Sequence, residues 1–137
     1  MKKIGPLSSI DPHPLPFLGA LVPAGFPSPA EDWIEGSLDL NQLLVTNPPS
    51  TFLMRATGDS MRDIGILDGS VLVVDRSIDP KSGCIVVAVV DGGLTVKMFT
   101  RNGGRPRLQP ANPDFPDILL DENSEVWGVV TAAIQRF

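Results

Sequence analysis

Cysteine and histidine are scarce in this 137-residue sequence, and their scarcity narrows its possible chemistry. The single cysteine, Cys84, has no internal disulfide partner, which indicates a reducing, cytoplasmic environment. The single histidine, His13, lies in a proline-rich N-terminal segment, so a Ser-His-Asp triad would require that segment to fold into the site. No Cys/His cluster has zinc-ligand spacing, and no Gly-Lys-Ser/Thr phosphate loop occurs. We therefore expect neither a metal nor a cofactor.

Long apolar runs are also missing. The longest, residues 85–90, has the length of a buried strand and is far shorter than the roughly 18 residues of a membrane span. Lys2 and Lys3 are followed by prolines instead of an apolar segment, so a secretory signal is not expected. The sequence therefore predicts a cytoplasmic protein with no membrane partner.

The charge balance is acidic, with a net charge of −5 and an isoelectric point near 4.6. Strong direct binding of nucleic acid requires Lys and Arg to neutralise phosphates, so we do not expect it here. Arg101, Arg105 and Arg107 are few and are bracketed by turn signals, which favours a solvated hairpin.

Local patterns divide the chain into an irregular start and a β-rich remainder. The first 30 residues are rich in proline and glycine, which predicts an extended, flexible arm. The capping pattern at residues 28–31 predicts a short helix that ends at Gly36, and Ser37 is expected to cap a second helix over 38–44. Turn-bounded runs then predict a mostly-β domain with strands at 51–56, 70–75, 84–90, 94–100 and 105–109, and one or two more within 125–137.

The tetrapeptide Gly58-Asp59-Ser60-Met61 follows the first of these strands. Gly58 allows a sharp bend, which can expose the Ser60 hydroxyl and turn the Ser60 backbone N–H towards a developing oxyanion. Gly-Asp-Ser is also common in ordinary loops and can cap a helical turn at 63–66. From this tetrapeptide alone, the ordinary loop is the favoured interpretation.

Lys97 lies in the middle of a predicted strand, with Thr95 and Phe99 on the same face. A strand lysine usually points to water. To act as a base it must be desolvated, because an unperturbed lysine has a pKa of about 10.4 and is protonated at neutral pH. Lowering that pKa by three units would cost about 4 kcal/mol. Phe99 is placed to exclude water from the amine, and Thr95 is placed to orient it.

The Gly58-Asp59-Ser60-Met61 motif, followed by Thr95-Val96-Lys97, resembles the LexA-like self-cleaving serine peptidases. Within them, the chain resembles the UmuD, MucA and RulA type of accessory subunit of error-prone DNA polymerases. The resemblance runs from residue 21 to residue 137 and includes the segments 39–41, 45–48, 109–113 and 125–128. It implies a LexA/signal-peptidase-like β domain with a flexible N-terminal arm and one or two short helices.

The resemblance also implies roles for individual residues. Ser60 is expected to be the nucleophile and Lys97 its general base. The expected cleavage site is the Ala24–Gly25 bond, where Pro23 favours an extended substrate. Residues 1–24 would then be the arm removed by self-cleavage, 25–45 the remaining arm with short helices, and 46–137 the β-rich peptidase-like core.

By the same resemblance, the partners are a second copy of the chain, a RecA filament on single-stranded DNA that stimulates cleavage, and a Y-family polymerase catalytic subunit. The implied role is translesion synthesis in the SOS response to DNA damage. A signal-peptidase-like enzyme would require a membrane anchor, and a repressor would require a helix-turn-helix domain before the arm; we expect neither. A non-catalytic, β-rich protein-interaction module remains an alternative.

Overall fold

The computed structural model describes residues 13–19, 21–27, 34–101 and 103–137, and this part of the chain is mostly β. The chain divides after Leu43 into two compact units. Among the described residues, the elements are one α-helix, α1 (Leu40–Leu44), two 3₁₀ turns (Pro48–Ser50 and Arg62–Ile64), and the strands β1 (Leu15–Leu18), β2 (Ile34–Leu38), β3 (Thr51–Arg55), β4 (Val71–Asp75), β5 (Ile85–Val90), β6 (Gly93–Thr100), β7 (Arg107–Gln109), β8 (Ile118–Leu119) and β9 (Ser124–Ile134). The predicted fold class is confirmed.

The first unit contains a two-stranded antiparallel sheet of β1 and β2, in which Leu15 is opposite Leu38 and Phe17 is opposite Gly36. The predicted helix ending at Gly36 is wrong over residues 34–36, because these belong to β2. Its earlier part, residues 28–33, lies outside the described residues. Pairing with β1 therefore prevails over the local capping signal at these three positions.

The short helix α1 is close to the prediction but begins two residues later, at Leu40. Ser37, the expected cap, is part of β2. Instead, the Asp39 carboxylate accepts a hydrogen bond from the Asn41 backbone N–H at 2.9 Å. Asp39 thus satisfies one of the free N–H groups at the start of the helix.

The second unit contains a seven-stranded antiparallel sheet in the order β3-β4-β9-β5-β6-β7-β8. Residues 125–137 contribute one long strand, β9, which pairs with both β4 and β5 and is irregular against each of them. The two-residue strand β8 was not predicted, because so short a run carries no alternation.

The core of this unit consists of two clusters of buried apolar side chains. One cluster includes Met61, which is 1% exposed and directly follows Ser60. The other cluster includes Phe99, which is two residues from Lys97 on β6. Both candidate residues are therefore next to chain positions that are fixed by core packing.

Candidate active site

Ser60 lies on the turn that follows β3. Gly58 has a φ of 88°, a left-handed conformation that favours glycine, and it reverses the chain just before Ser60. The Gly58 N–H donates to the Asp68 carboxylate at 2.9 Å, which holds the start of the turn. The side chain of Ser60 is half-buried.

Lys97 lies on β6, opposite Val86 of β5, and is only 7% exposed. Its Nζ donates to Ser60 Oγ at 2.9 Å, to Thr95 Oγ1 at 2.9 Å and to the Val96 carbonyl at 3.0 Å. In the described part of the chain, the ion pair found is Arg62–Asp63, so no carboxylate there compensates the ammonium charge of Lys97. Burial therefore lowers the pKa of Lys97 below its ordinary value.

The structure thus brings Ser60, Lys97 and Thr95 into one hydrogen-bonded group, although Ser60 and Lys97 are 37 positions apart in sequence. A lysine with a lowered pKa next to a serine hydroxyl can accept the hydroxyl proton once it is neutral. The arrangement is therefore chemically able to activate Ser60 as a nucleophile.

A partly open cleft of about 140 Å³ adjoins Ser60 and Thr95. Its other lining residues are mixed: Arg55 and Thr57 are polar, whereas Met54, Ala56, Leu72, Val87, Leu94 and Val96 are apolar. Its small volume suits a segment with small side chains beside the hydroxyl.

Ala24 and Gly25 lie in the first unit, whereas the other candidate residues lie in the second. Both residues are exposed and form part of a bend over residues 24–26. The neighbouring Val22 and Phe26 are also exposed, at 90% and 94%. An exposed, irregular backbone segment is the kind of chain that a peptidase can bind.

Asn112, for which the sequence predicted no role, reaches the turn that carries Ser60 with its side chain. Asn112 is 4% exposed, and its Nδ2 donates to the Asp59 carbonyl at 2.9 Å. The neighbouring Ala111 carbonyl accepts the Asp63 N–H at 2.8 Å. The only sequence signal was the motif over residues 109–113, which contributes to the family resemblance without indicating these contacts.

No group of three or more His, Cys, Asp or Glu side chains that could hold a metal ion occurs among the described residues. Across the same residues, no helix is long and apolar enough to cross a membrane.

A β domain in which a buried lysine is hydrogen-bonded to a serine beside a cleft is found in a known family of peptidases. The Peptidase S24-like family model matches residues 16–131, so the chain is a member of that family, as the LexA-like motifs predicted. Protein MucA from Salmonella typhimurium is 43% identical over 125 residues, which cover 89% of this chain and 85% of MucA.

Two other relatives show the same relationship. Protein SamA from Salmonella typhimurium strain LT2 is 46% identical over 116 residues, which cover 83% of this chain and 80% of SamA. The LexA repressor from Azoarcus sp. strain BH72 is 40% identical over 124 residues, which cover 88% of this chain and 60% of the repressor. The resemblance to both the MucA type and the LexA type is therefore confirmed.

Proposed function

We propose that this chain is a self-cleaving serine peptidase in which Ser60 attacks the Ala24–Gly25 bond and Lys97 is the general base. The observation that carries the proposal is the 2.9 Å hydrogen bond between Ser60 Oγ and the buried Lys97 Nζ. Membership in the Peptidase S24-like family supports it.

The surroundings of Lys97 favour the direction of proton transfer. A neutral lysine amine has two N–H groups to donate and one lone pair that can accept a proton. Two of the three hydrogen-bond partners of Lys97 Nζ can accept its two N–H groups. The Val96 carbonyl can only accept, and Thr95 Oγ1 can accept the second N–H. The lone pair then faces Ser60 Oγ, which can donate its own O–H. Thr95 therefore orients the base for Ser60.

The reaction follows from this geometry. Lys97 takes the Ser60 proton as Oγ bonds to the Ala24 carbonyl carbon, which places a negative charge on the carbonyl oxygen. Collapse of this intermediate breaks the Ala24–Gly25 bond, and Lys97 returns the proton to the Gly25 amine. Water then attacks the Ala24 ester with Lys97 again acting as base, which releases the Ala24 carboxyl group and regenerates Ser60.

The arm supplies a suitable substrate. Ala24 and Gly25 have the smallest side chains, so a hydroxyl can approach the bond closely. Pro23 disfavours helical backbone at Val22 and favours the extended form in which peptidases bind substrates. The proposed domain division is an arm of residues 1–24 removed by cleavage, a remaining arm over 25–45 that contains β2 and α1, and a peptidase-like core over 46–137.

The cellular role we propose rests on the relatives of the MucA and LexA type. The chain acts in the cytoplasm as a homodimer in SOS mutagenesis after DNA damage. A RecA filament on single-stranded DNA stimulates cleavage, and the shortened form joins a Y-family polymerase catalytic subunit for translesion synthesis. The net charge of −5 agrees with a protein that meets DNA through such partners.

The test is self-cleavage of the full chain, followed by intact mass spectrometry. At alkaline pH, or with RecA, nucleotide and single-stranded DNA, loss of residues 1–24 from the 137-residue chain leaves a 113-residue product that begins at Gly25. Ser60→Ala should yield no such product. Ser82→Ala, a change at an exposed serine on the same domain, is the matched control and should cleave like the wild type.

Two results would contradict the proposal. Formation of the 113-residue product by folded Ser60→Ala would remove Ser60 as the nucleophile. A wild-type chain that stays intact under both activating conditions would instead favour a non-catalytic, β-rich interaction module.

A further inference from the structure

The peptide bond between Asp59 and Ser60 is held in place by the buried side chain of Asn112. Asn112 Nδ2 donates to the Asp59 carbonyl oxygen at 2.9 Å. Asn112 Oδ1 accepts from the Asp114 N–H at 3.1 Å and from Arg62 Nη2 at 3.5 Å. Because the oxygen of the amide already receives donors, its nitrogen must face Asp59.

Holding the Asp59 carbonyl also fixes the direction of the Ser60 N–H. The two groups belong to one planar peptide, and the described part of the chain contains no cis peptide bond. In a trans peptide the carbonyl and the N–H point in opposite directions. A rotation of this peptide plane would therefore break the hydrogen bond from Asn112 to the Asp59 carbonyl and would also change the direction of the Ser60 N–H.

Among the described residues, the Ser60 N–H donates no hydrogen bond, so it is available to a ligand. The Asp59 carbonyl, in contrast, accepts a second hydrogen bond, from the Arg62 N–H at 3.2 Å. A backbone N–H next to a nucleophile, held in advance, is the usual donor to the oxyanion in acyl transfer.

The segment that contains Asn112 also fixes the chain after Ser60. The Ala111 N–H donates to Met61 Sδ at 3.4 Å, and the Ala111 carbonyl accepts the Asp63 N–H at 2.8 Å. The turn is thus anchored on both sides of Ser60 by two consecutive residues. Packing of Met61 in the core adds a third anchor.

We propose that Asn112 is a positioning residue for self-cleavage: by holding the Asp59 carbonyl, it aims the Ser60 N–H at the oxyanion that forms on Ala24. The inference rests on the proposed function. In the reaction, the bond from Oγ to the Ala24 carbonyl carbon forms, and the carbonyl oxygen gains the charge that this N–H stabilises. Asn112 touches no reacting atom and takes up no proton.

The test compares cleavage rates of the full chain across pH for Asn112→Asp and Asn112→Ala. Asn112→Asp has nearly the same shape but replaces the donor with an acceptor, and Asn112→Ala removes the side chain. Loss of an oxyanion donor costs about 10²–10³-fold in rate, so a misaimed donor should cost about 10- to 100-fold. In Asn112→Ala, which adds no charge, the pH of half-maximal rate should stay unchanged, because that pH reports Lys97.

Asn47→Ala is the matched control, since Asn47 Nδ2 also donates within a polar cluster, to Asp75 at 3.1 Å. It should lower the melting temperature while leaving the cleavage rate at 25 °C unchanged. Thermal unfolding identifies the variants that are folded at the assay temperature. If Asn112→Ala does not fold, the cleavage rate of Asn112→Asp tests the inference.

Three outcomes would overturn the inference. If folded Asn112 variants cleave at the wild-type rate while Ser60→Ala is inactive, Asn112 has no positioning role, and the proposed function is unaffected. For Asn112→Ala, a half-maximal pH displaced towards that of an ordinary lysine would show that Asn112 maintains the burial of Lys97 instead. Cleavage by Ser60→Ala would remove the proposed function and the inference with it.

Discussion

Two ionisable side chains are buried in the second unit, Asp75 at 3% exposure and Lys97 at 7%, and the fold treats their charges in opposite ways. Asp75 accepts from the Ser77 hydroxyl at 2.7 Å, the Ser77 N–H at 2.8 Å, the Ser50 hydroxyl at 2.8 Å and Asn47 Nδ2 at 3.1 Å. These donors hold the pKa of Asp75 well below its ordinary value of 3.8, so it remains charged. Lys97 has no compensating carboxylate among the described residues. Its burial lowers its pKa, which favours the neutral amine.

The difference teaches what each region does. Four donors from three residues, Asn47, Ser50 and Ser77, stabilise the carboxylate, so the Asp75 cluster contributes to stability. Desolvation of Lys97 opposes its charged state, which lowers stability at neutral pH but would supply the base that the proposed function requires next to Ser60. One buried group stabilises the fold, and the other is tolerated at a cost to it.

The largest expected effect comes from removing the amine. Lys97→Met keeps an unbranched apolar side chain, and loss of a general base should lower the self-cleavage rate by about 10²–10⁴-fold. The same change should raise the free energy of unfolding at pH 7, because no amine is then buried. Lys81→Met, at an exposed lysine, should change neither quantity. A Lys97→Met chain that cleaves normally, or that is less stable than wild type, would break the comparison.

The next largest effect is the pH dependence of the cleavage rate and of the unfolding free energy, both of which depend on the pKa of Lys97. Below the native pKa of Lys97, the cleavage rate should rise about tenfold per pH unit, and it should level off at a pH below about 10.4. Between the lowered native pKa and the unfolded value, the unfolded chain binds more protons, so the free energy of unfolding should rise with pH. Mass spectrometry and chemical denaturation across pH 6 to 10 measure both quantities. A flat rate profile would be inconsistent with a titrating lysine.

Asp75→Asn tests the opposite region. It should lower the free energy of unfolding at pH 7, because an amide nitrogen replaces one of the oxygens that accept hydrogen bonds. Stabilisation by the lowered pKa is present above the ordinary value of 3.8 and is lost as pH falls through the native pKa, so the wild-type advantage should shrink below pH 3.8. Denaturant melts at several pH values would show this. Asp79→Asn, at an exposed carboxylate, is the control. An advantage that persists unchanged into strong acid would argue against a stabilised carboxylate.

The smallest effect concerns the backbone beside Asp75. A Cβ on Gly128 would lie 2.7 Å from Val74 Cγ1 and 3.5 Å from the Asp75 carbonyl. Gly128→Ala should therefore cost about 1–3 kcal/mol in unfolding free energy through overpacking. Gly104→Ala, where a Cβ meets nothing within 4 Å, should not destabilise the protein. Equal stability of the two variants would show that β9 adjusts to the extra methyl group.

Sequence patterns predicted those features that depend on neighbouring residues. Turn signals and alternation placed most strands of the large sheet, and the spacing of Ser60 and Lys97 carried the family resemblance. The pairing of β1 with β2 joins segments about 20 residues apart, so no local sequence pattern predicts it. The Asp75 cluster and the contact of Asn112 with Asp59 likewise depend on tertiary approach, the latter across 53 positions.

The pairing of β1 with β2 has a consequence for what cleavage leaves behind. β1 precedes the Ala24–Gly25 bond and β2 follows it, so a cut at that bond would divide one small sheet between two molecules. Before the cut the strands are tethered by the connecting loop, and afterwards their pairing depends on the concentrations of both fragments. A two-stranded ribbon is at best marginally stable in water, so dilution would favour its separation. Cleavage and loss of the arm are thus two events, and only the second is reversible by mass action.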